Sequence, residues 1–273
     1  MHLAGRKTIS MNQITVTGMI ISTSPIKEYD RRVVILTKEL GKITAFANGS
    51  RKPNSPLVGV VNPFSFGEFV LYDGRTSYTV KSVKINNYFE GLRNNLNSAY
   101  CGFYFLEIAD YFAREHNDEK DMLRLLYMTL KALENEKISN ELVRCIFELK
   151  VLSINGIGPE VFGCLTCGGK ENSMLFNVKR GGLVCKDCMK KENTAKSRGA
   201  NGKETENECN SILLNISTLY TMQFIMSSKL DKLYTFQVSD GVLSELKVLM
   251  NRIYEAYVER EFKSLEMLDV IVK

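Results

Sequence analysis

Arg31-Arg32-Val33-Val34-Ile35-Leu36, a leucine-glycine turn at Leu40-Gly41, and then Lys42-Ile43-Thr44-Ala45-Phe46-Ala47-Asn48 decide how this chain folds. Both runs are short, rich in β-branched and aromatic residues, and closed by turn residues, so they read as a β-hairpin. Three further runs of the same kind, 14–22, 66–72 and 77–85, flank it, separated by Asn48-Gly49, Asn62-Pro63 and Asp73-Gly74. Five short strands within about 75 residues, joined by one long connection from Gly49 to Ser65, predict a small closed barrel of the OB type, with an SH3-like barrel as the nearest competitor.

After Tyr88 the period changes. Segments 97–115, 119–135 and 140–155 carry apolar residues at helical spacing, for example Leu123, Leu126, Tyr127, Leu130 and Leu133. Asp118 and Ser139 are candidate N-caps and Gly156 a helix stop. Two more helical segments, 211–227 and 242–262, close the chain. The fold class expected is therefore α+β: a five-stranded OB barrel over 12–88, then an α-helical domain. That domain runs over 89–162 and 211–273, interrupted by a cysteine-bearing module at 163–190 and a polar loop at 191–210. Residues 1–11 read as an extension or tag, since Met11 could also start the chain.

The interruption is the most chemical part of the sequence. Cys164-Leu165-Thr166-Cys167 and Cys185-Lys186-Asp187-Cys188 are two Cys-x-x-Cys knuckles at the spacing of a four-thiolate zinc site. Each knuckle aims two sulfurs at one point, and Gly163, Gly168, Gly169, Gly181 and Gly182 supply the tight turns around them. With four protein ligands no position remains for water, so one structural Zn²⁺ per chain is expected. A thioredoxin-like redox pair leaves the second knuckle unexplained, and disulfides require an oxidising compartment to which nothing in the sequence points. Cys101, Cys145 and Cys209 read as core or incidental cysteines.

Charge is distributed unevenly. Residues 1–88 hold twelve Lys or Arg against five Asp or Glu, and the remainder is slightly acidic, within an overall net charge of +5. Residues 163–198 recover a local excess of eight basic over three acidic. Such patches attract polyanions, of which nucleic acid is the commonest in a reducing cytoplasm. The candidate DNA contacts are Arg31, Arg32, Lys38, Lys42, Arg51, Lys52, Lys81 and Lys84, with Arg51 and Lys52 foremost because a loop exposes both. Tyr29, Phe46, Phe64, Tyr72 and Tyr78 could stack bases, although period-2 alternation sends half or more of these rings into the core. No phosphate-binding glycine loop, nucleophile elbow or His-Glu-x-x-His is present, and the two histidines lie in no catalytic setting. The chain thus reads as a binding protein and not an enzyme. No apolar run reaches the length of a membrane span, and a cytoplasmic protein is expected.

Three blocks carry a family resemblance. One is Tyr29-Asp30-Arg31-Arg32 through Gly41-Lys42, continuing to Phe46-Ala47-Asn48-Gly49-Ser50-Arg51-Lys52. The second is Leu57-Val58-Gly59-Val60-Val61-Asn62-Pro63-Phe64. The third is Asn155-Gly156-Ile157-Gly158-Pro159-Glu160, leading into the knuckles by way of Phe176 and Gly181-Gly182. In this order they resemble the bacterial RecO family. The resemblance implies binding of single- and double-stranded DNA, annealing of complementary strands, and pairing with RecR. It also implies contact with the acidic C-terminal tail of single-strand-binding protein (SSB), indirect help in loading RecA, and a nucleoid-associated place in the bacterial cytoplasm. By position it puts Arg31, Arg32, Arg51 and Lys52 on a DNA-facing barrel and zinc on the four cysteines. The competing reading is a zinc-stabilised protein-interaction scaffold whose DNA affinity is incidental.

Overall fold

The computed structural model describes residues 12–75, 77–170, 174–197 and 211–271. The expectations for residues 1–11, for Cys209 and for the polar stretch beyond residue 197 lie outside them. Contacts divide the chain into two compact units, one of residues up to Leu130 together with the chain end from Ser264, the other Lys131–Lys263.

The first unit contains β1 (Asn12–Ile26), β2 (Asp30–Thr37), β3 (Gly41–Ala47), β4 (Phe66–Asp73) and β5 (Tyr78–Asn87). They close into a barrel in the order β1-β2-β3-β5-β4, the β3–β5 pair being parallel. β1 is long enough to serve two neighbours: Asn12 to Met19 pair with β4, and Gly18 to Ile26 pair with β2. A register shift between Ile20 and Ser22 bends it between these duties. Gly18 sits where the two ladders overlap, and a Cβ there would lie 2.6 Å from the Leu36 carbonyl oxygen, so only glycine lets the strand cross so closely.

Inward-facing apolar residues fill the interior. Val33, Ile35, Ile43, Ala45, Phe69 and Val80 point inward, and Leu57 and Val61 of the β3–β4 connection seal the core. That connection, residues 48–65, is a series of turns with no helix.

Outside the barrel this unit adds α1 (Leu96–Phe112), the first part of α2 (Lys120–Asn135) and α7 (Lys263–Ile271). The Asn95 side chain caps α1 by accepting from the Ser98 N–H. Gly102 lets the Phe64 ring come close to α1, since a Cβ there would lie 3.0 Å from the ring, and Phe64 and Phe103 have centroids 4.8 Å apart. Asp118, expected as the α2 N-cap, stands one residue earlier: helix bonding begins at the Glu119 carbonyl, while the Asp118 carboxylate accepts from the Lys120 N–H. The buried Glu119 carboxylate instead receives the Arg114 N–H and the Asn117 amide, fixing the α1–α2 turn.

The second unit packs α3 (Asn140–Ile154), α5 (Ile216–Ser227) and α6 (Asp240–Tyr257), with a small module of β6 (Met174–Asn177), β7 (Gly182–Cys185), α4 (Lys186–Ser197) and β8 (Ser211–Leu213). Ser139 caps α3 as expected. Gly156, at φ 73°, ends it with two closing bonds, Gly156 N–H to the Ser153 carbonyl and Ile157 N–H to the Leu152 carbonyl. Lys150 is buried, and its ammonium donates to the Ile225, Met226 and Ser228 carbonyls at 3.2, 2.9 and 2.8 Å, so a side chain of α3 closes the end of α5. Two expectations give way here. Residues 211–213 are a strand instead of a helix start, because β6 offers them a partner through Leu175, Phe176 and Asn177. Residues 191–197, expected as loop, continue α4.

Candidate metal centre and nucleic-acid face

The four cysteines come from three local structures. Cys164 and Cys167 sit on a turn closed by the Gly168 N–H to Cys164 carbonyl and Cys164 N–H to Gly169 carbonyl bonds, both 2.8 Å. Gly168 adopts φ 71° with open space around it, the left-handed step that brings the second sulfur back beside the first. Cys185 ends β7, and Cys188 lies in the first turn of α4. Their sulfurs all lie within 4.8 Å of one another, with Cys167 Sγ and Cys185 Sγ 3.8 Å apart. A tetrahedron of sulfurs about 2.3 Å from a central zinc has edges of about 3.8 Å, so the donor set and its spacing fit.

The backbone supports anionic sulfur at this point. Thr166 and Cys185 N–H groups donate to Cys164 Sγ at 3.4 and 3.3 Å, and the Cys188 N–H donates to Cys185 Sγ at 3.4 Å. Burial pushes the Cys164 thiol up, but backbone N–H groups of Cys185, Cys167 and Thr166 together outweigh it and bring it down to about 6. Cys188 is pushed up to about 12, first by sharing hydrogen bonding with Cys185. This grouping can hold a metal ion. Around it, the Arg180 guanidinium grips both Glu192 carboxylate oxygens at 3.1 and 3.0 Å and donates to the Thr166 hydroxyl at 3.0 Å, lashing the first knuckle to α4. Cys101 and Cys145 are buried, as expected of core cysteines.

The eight cations read as DNA contacts have different occupations. Arg32, Lys38, Arg51, Lys52, Lys81 and Lys84 are exposed on the barrel. Arg31 donates to Asn62 Oδ1 at 2.7 Å and the Val61 carbonyl at 3.3 Å, so it ties β2 to the long connection. Lys42 reaches α1, with its ammonium 2.5 Å from the Asp110 carbonyl and 3.3 Å from that residue's carboxylate. These two positions act first as braces of the fold.

The rings also differ from expectation. None of the five is fully buried; Tyr78 packs against the barrel core, while Phe46 and Tyr72 are half-exposed on its outer surface and Tyr29 is exposed. Tyr29 joins the leading loop cations: the Arg51 N–H donates to the Tyr29 carbonyl, and Lys52 Nζ stands 5.5 Å from the ring centroid. Asp30 holds the loop by accepting from the Gly49 N–H at 2.7 Å. Arg32 pairs with Phe46 across β2–β3. Tyr29, Arg32, Phe46, Arg51 and Lys52 therefore form one cationic and aromatic patch.

These geometries meet their counterparts in known sequences. The family model described as Recombination protein O N terminal matches residues 11–89, and that described as Recombination protein O C terminal matches residues 93–266. The chain belongs to the RecO family. Relatives along nearly their whole length include the DNA repair protein RecO of Alkaliphilus metalliredigens, 28% identical over 256 residues that make up 93% of this chain and 98% of the relative. The RecO of Acetivibrio thermocellus is 28% identical over 262 residues, 96% and 98% of the two chains. That of Clostridium perfringens is 28% identical over 255 residues, 93% and 96%. The boundary between the two family models falls at the end of the barrel, whose β1-β2-β3-β5-β4 closure is the OB arrangement.

Two features escaped the sequence reading. One is a polar cleft of about 380 Å³ beside Tyr78, lined by Asp73, Arg75, Glu115 and His116. Partial burial raises the Tyr78 phenol, and the nearby Asp73 and Glu115 carboxylates raise it further. The other is an apolar groove of about 220 Å³ in the second unit, lined by Phe162, Met174, Ile216, Tyr220 and Gln223 with Lys170 beside them. Ile216 and Tyr220, one helical turn apart on α5, are 68% and 67% exposed among the described residues. No helix among the described residues is long and apolar enough to cross a membrane.

Proposed function

We propose that the chain is a non-enzymatic DNA repair and recombination mediator that binds single- and double-stranded DNA and anneals complementary strands. With RecR it helps load RecA onto SSB-coated single strands in the bacterial cytoplasm. The observation that carries this reading is the patch of Tyr29, Arg32, Phe46, Arg51 and Lys52 on an OB barrel. Cations neutralise phosphate and release counterions, and rings accept bases by stacking. Annealing follows electrostatically: two strands that repel each other approach once their phosphates are matched by the barrel.

A structural Zn²⁺ held by Cys164, Cys167, Cys185 and Cys188 suits the tetrahedral spacing and the backbone donors around the sulfurs. It ties the turn at 163–169, β7 and α4 into one piece and takes no part in contact with DNA. The groove between Phe162, Ile216 and Tyr220 suits an acidic C-terminal tail such as that of SSB. Apolar side chains would fill it, and Lys170 would meet the carboxylates.

The test is annealing of two complementary oligonucleotides coated with the cognate SSB, with and without the chain, across a salt series. Acceleration that fades as salt rises is expected. A folded protein that gives no acceleration at any salt concentration sinks the mediator reading in favour of the scaffold, which the exposed apolar groove would then serve.

A further inference from the structure

The apolar groove of the second unit has two walls of different origin. One is α5, which brings Ile216, Tyr220 and Gln223. The far side of that helix is fixed in the core: Met222 and Ile225 are fully buried, and the Thr218 hydroxyl donates to the Glu245 carboxylate on α6. With the Lys150 ammonium closing its end, α5 is anchored without help from the cysteines.

The other wall belongs to the cysteine module. Val161 and Phe162 lead into Cys164, and Lys170 follows Cys167. Met174 on β6 is the register partner of Cys185, and Leu183 on β7 stands two residues before it. Alternation puts Leu183 and Cys185 on one face of the sheet, and Met174, opposite Cys185, shares that face. One face of the β6–β7 pair thus carries both a sulfur of the metal centre and part of the groove lining. Backbone bonds continue the link. The Leu165 N–H, inside the first knuckle, donates to the Leu183 carbonyl at 2.8 Å, and the Leu183 N–H donates to the Glu160 carbonyl at 2.9 Å. The Gln223 amide of α5 meets this wall at the Val161 carbonyl, 2.7 Å away.

A metal ion bonded to all four sulfurs binds the closed arrangement of the module and not an opened one, so its occupancy favours a wall in place. Among the described residues lining the groove, the charged one is Lys170. Residues 163–198 carry eight basic side chains against three acidic, so the chemistry accepted is an acidic peptide with apolar residues to fill the space.

We propose that metal occupancy of Cys164, Cys167, Cys185 and Cys188 controls the groove: an acidic, apolar-ended peptide binds when the site is loaded and is released when it is emptied. This rests on the reading of the groove given above and adds its regulation. The coupling is reciprocal, so bound peptide raises the affinity for the metal by the same factor.

The full chain, loaded with Zn²⁺ and then stripped by a chelator, tests this against a fluorescent peptide of aspartates ending in apolar residues with a free carboxylate. Anisotropy should show the peptide weakened about 5- to 150-fold on stripping, and chelator competition should show zinc weakened by the same factor when peptide is absent. Binding of a labelled single-stranded oligonucleotide in the same samples should not change. A fall in both ligands would mean that stripping unfolds the whole chain, and overturns a coupling confined to the groove. Lys170→Gln should weaken the peptide on the loaded chain while zinc stays stoichiometric; unchanged binding overturns the placement of the peptide. Equal peptide affinity in loaded and stripped chain overturns the metal control and leaves the groove reading standing. No binding to the loaded chain overturns both, and a chain that takes up no zinc overturns the control at its first step.

Discussion

The barrel and the cysteine module solve the same problem with opposite means. Ladders of the barrel run up to eight residue pairs, and a continuous apolar interior lies beneath them. The module has strands of four, four and three residues, and its turns are set by glycine. Strands that short make few ladder bonds of their own, and the second region adds four sulfurs placed to hold a metal ion. Long ladders over an apolar interior organise one region, short buried strands beside a candidate metal site the other, and each should fail by its own route.

The largest expected break is on the coordination side. Structural zinc contributes about 10–16 kcal/mol to comparable small domains at neutral pH. Cys185→Ser, or prolonged exposure to a strong chelator, should remove the metal and unfold the module. Metal analysis and hydrogen exchange would follow it: amides of β6 and β7 should lose protection while those of β1 to β5 keep theirs. Uniform loss across both regions would mean they are not independent in this way.

The reciprocal break is Phe69→Ala. Phe69 has 0% exposure in the barrel core, and emptying such a site costs about 3–5 kcal/mol. DNA binding should fall with the barrel's melting temperature while zinc content stays stoichiometric. A smaller effect is expected at Lys150→Ala, which strips a donor from three carbonyls at the end of α5 for about 1–3 kcal/mol. Thermal denaturation would measure it, and no change would show that water replaces the ammonium at no cost.

The finest distinction lies within the barrel's own cations. Arg51→Ala with Lys52→Ala should leave stability alone and lower the salt slope of single-strand binding by up to about two units. Lys42→Ala should do the reverse, costing up to about 1 kcal/mol of stability through the lost brace to α1, with the slope unchanged. A lowered slope in the Lys42 variant would make that lysine a DNA contact after all.

What was legible in the residues follows the range of the forces involved. Alternation is local, and the five strand cores read from it match the barrel strands to within a few residues at their ends. The knuckle spacing is local too, and it brought four sulfurs together. The bracing roles of Arg31 and Lys42 could not be read from the sequence because their partners lie 31 and 68 positions away. Residues 211–213 have no periodicity of their own and become a strand only because β6 is there to pair. The apolar groove is assembled from four stretches, near residues 161, 174, 183 and 220, none of which shows its shape alone.

The double duty of β1 has a consequence for how the chain is made. Asn12–Ile26 leaves the ribosome before the other four barrel strands, yet its first half has no barrel partner until β4, Phe66–Asp73, has emerged. The parallel seam between β3 and β5, only two residue pairs long, waits longer still. For that interval the growing chain is a hairpin with an unpaired, β-branched edge, and the speed at which the next residues arrive decides whether that edge meets β4 or another nascent chain.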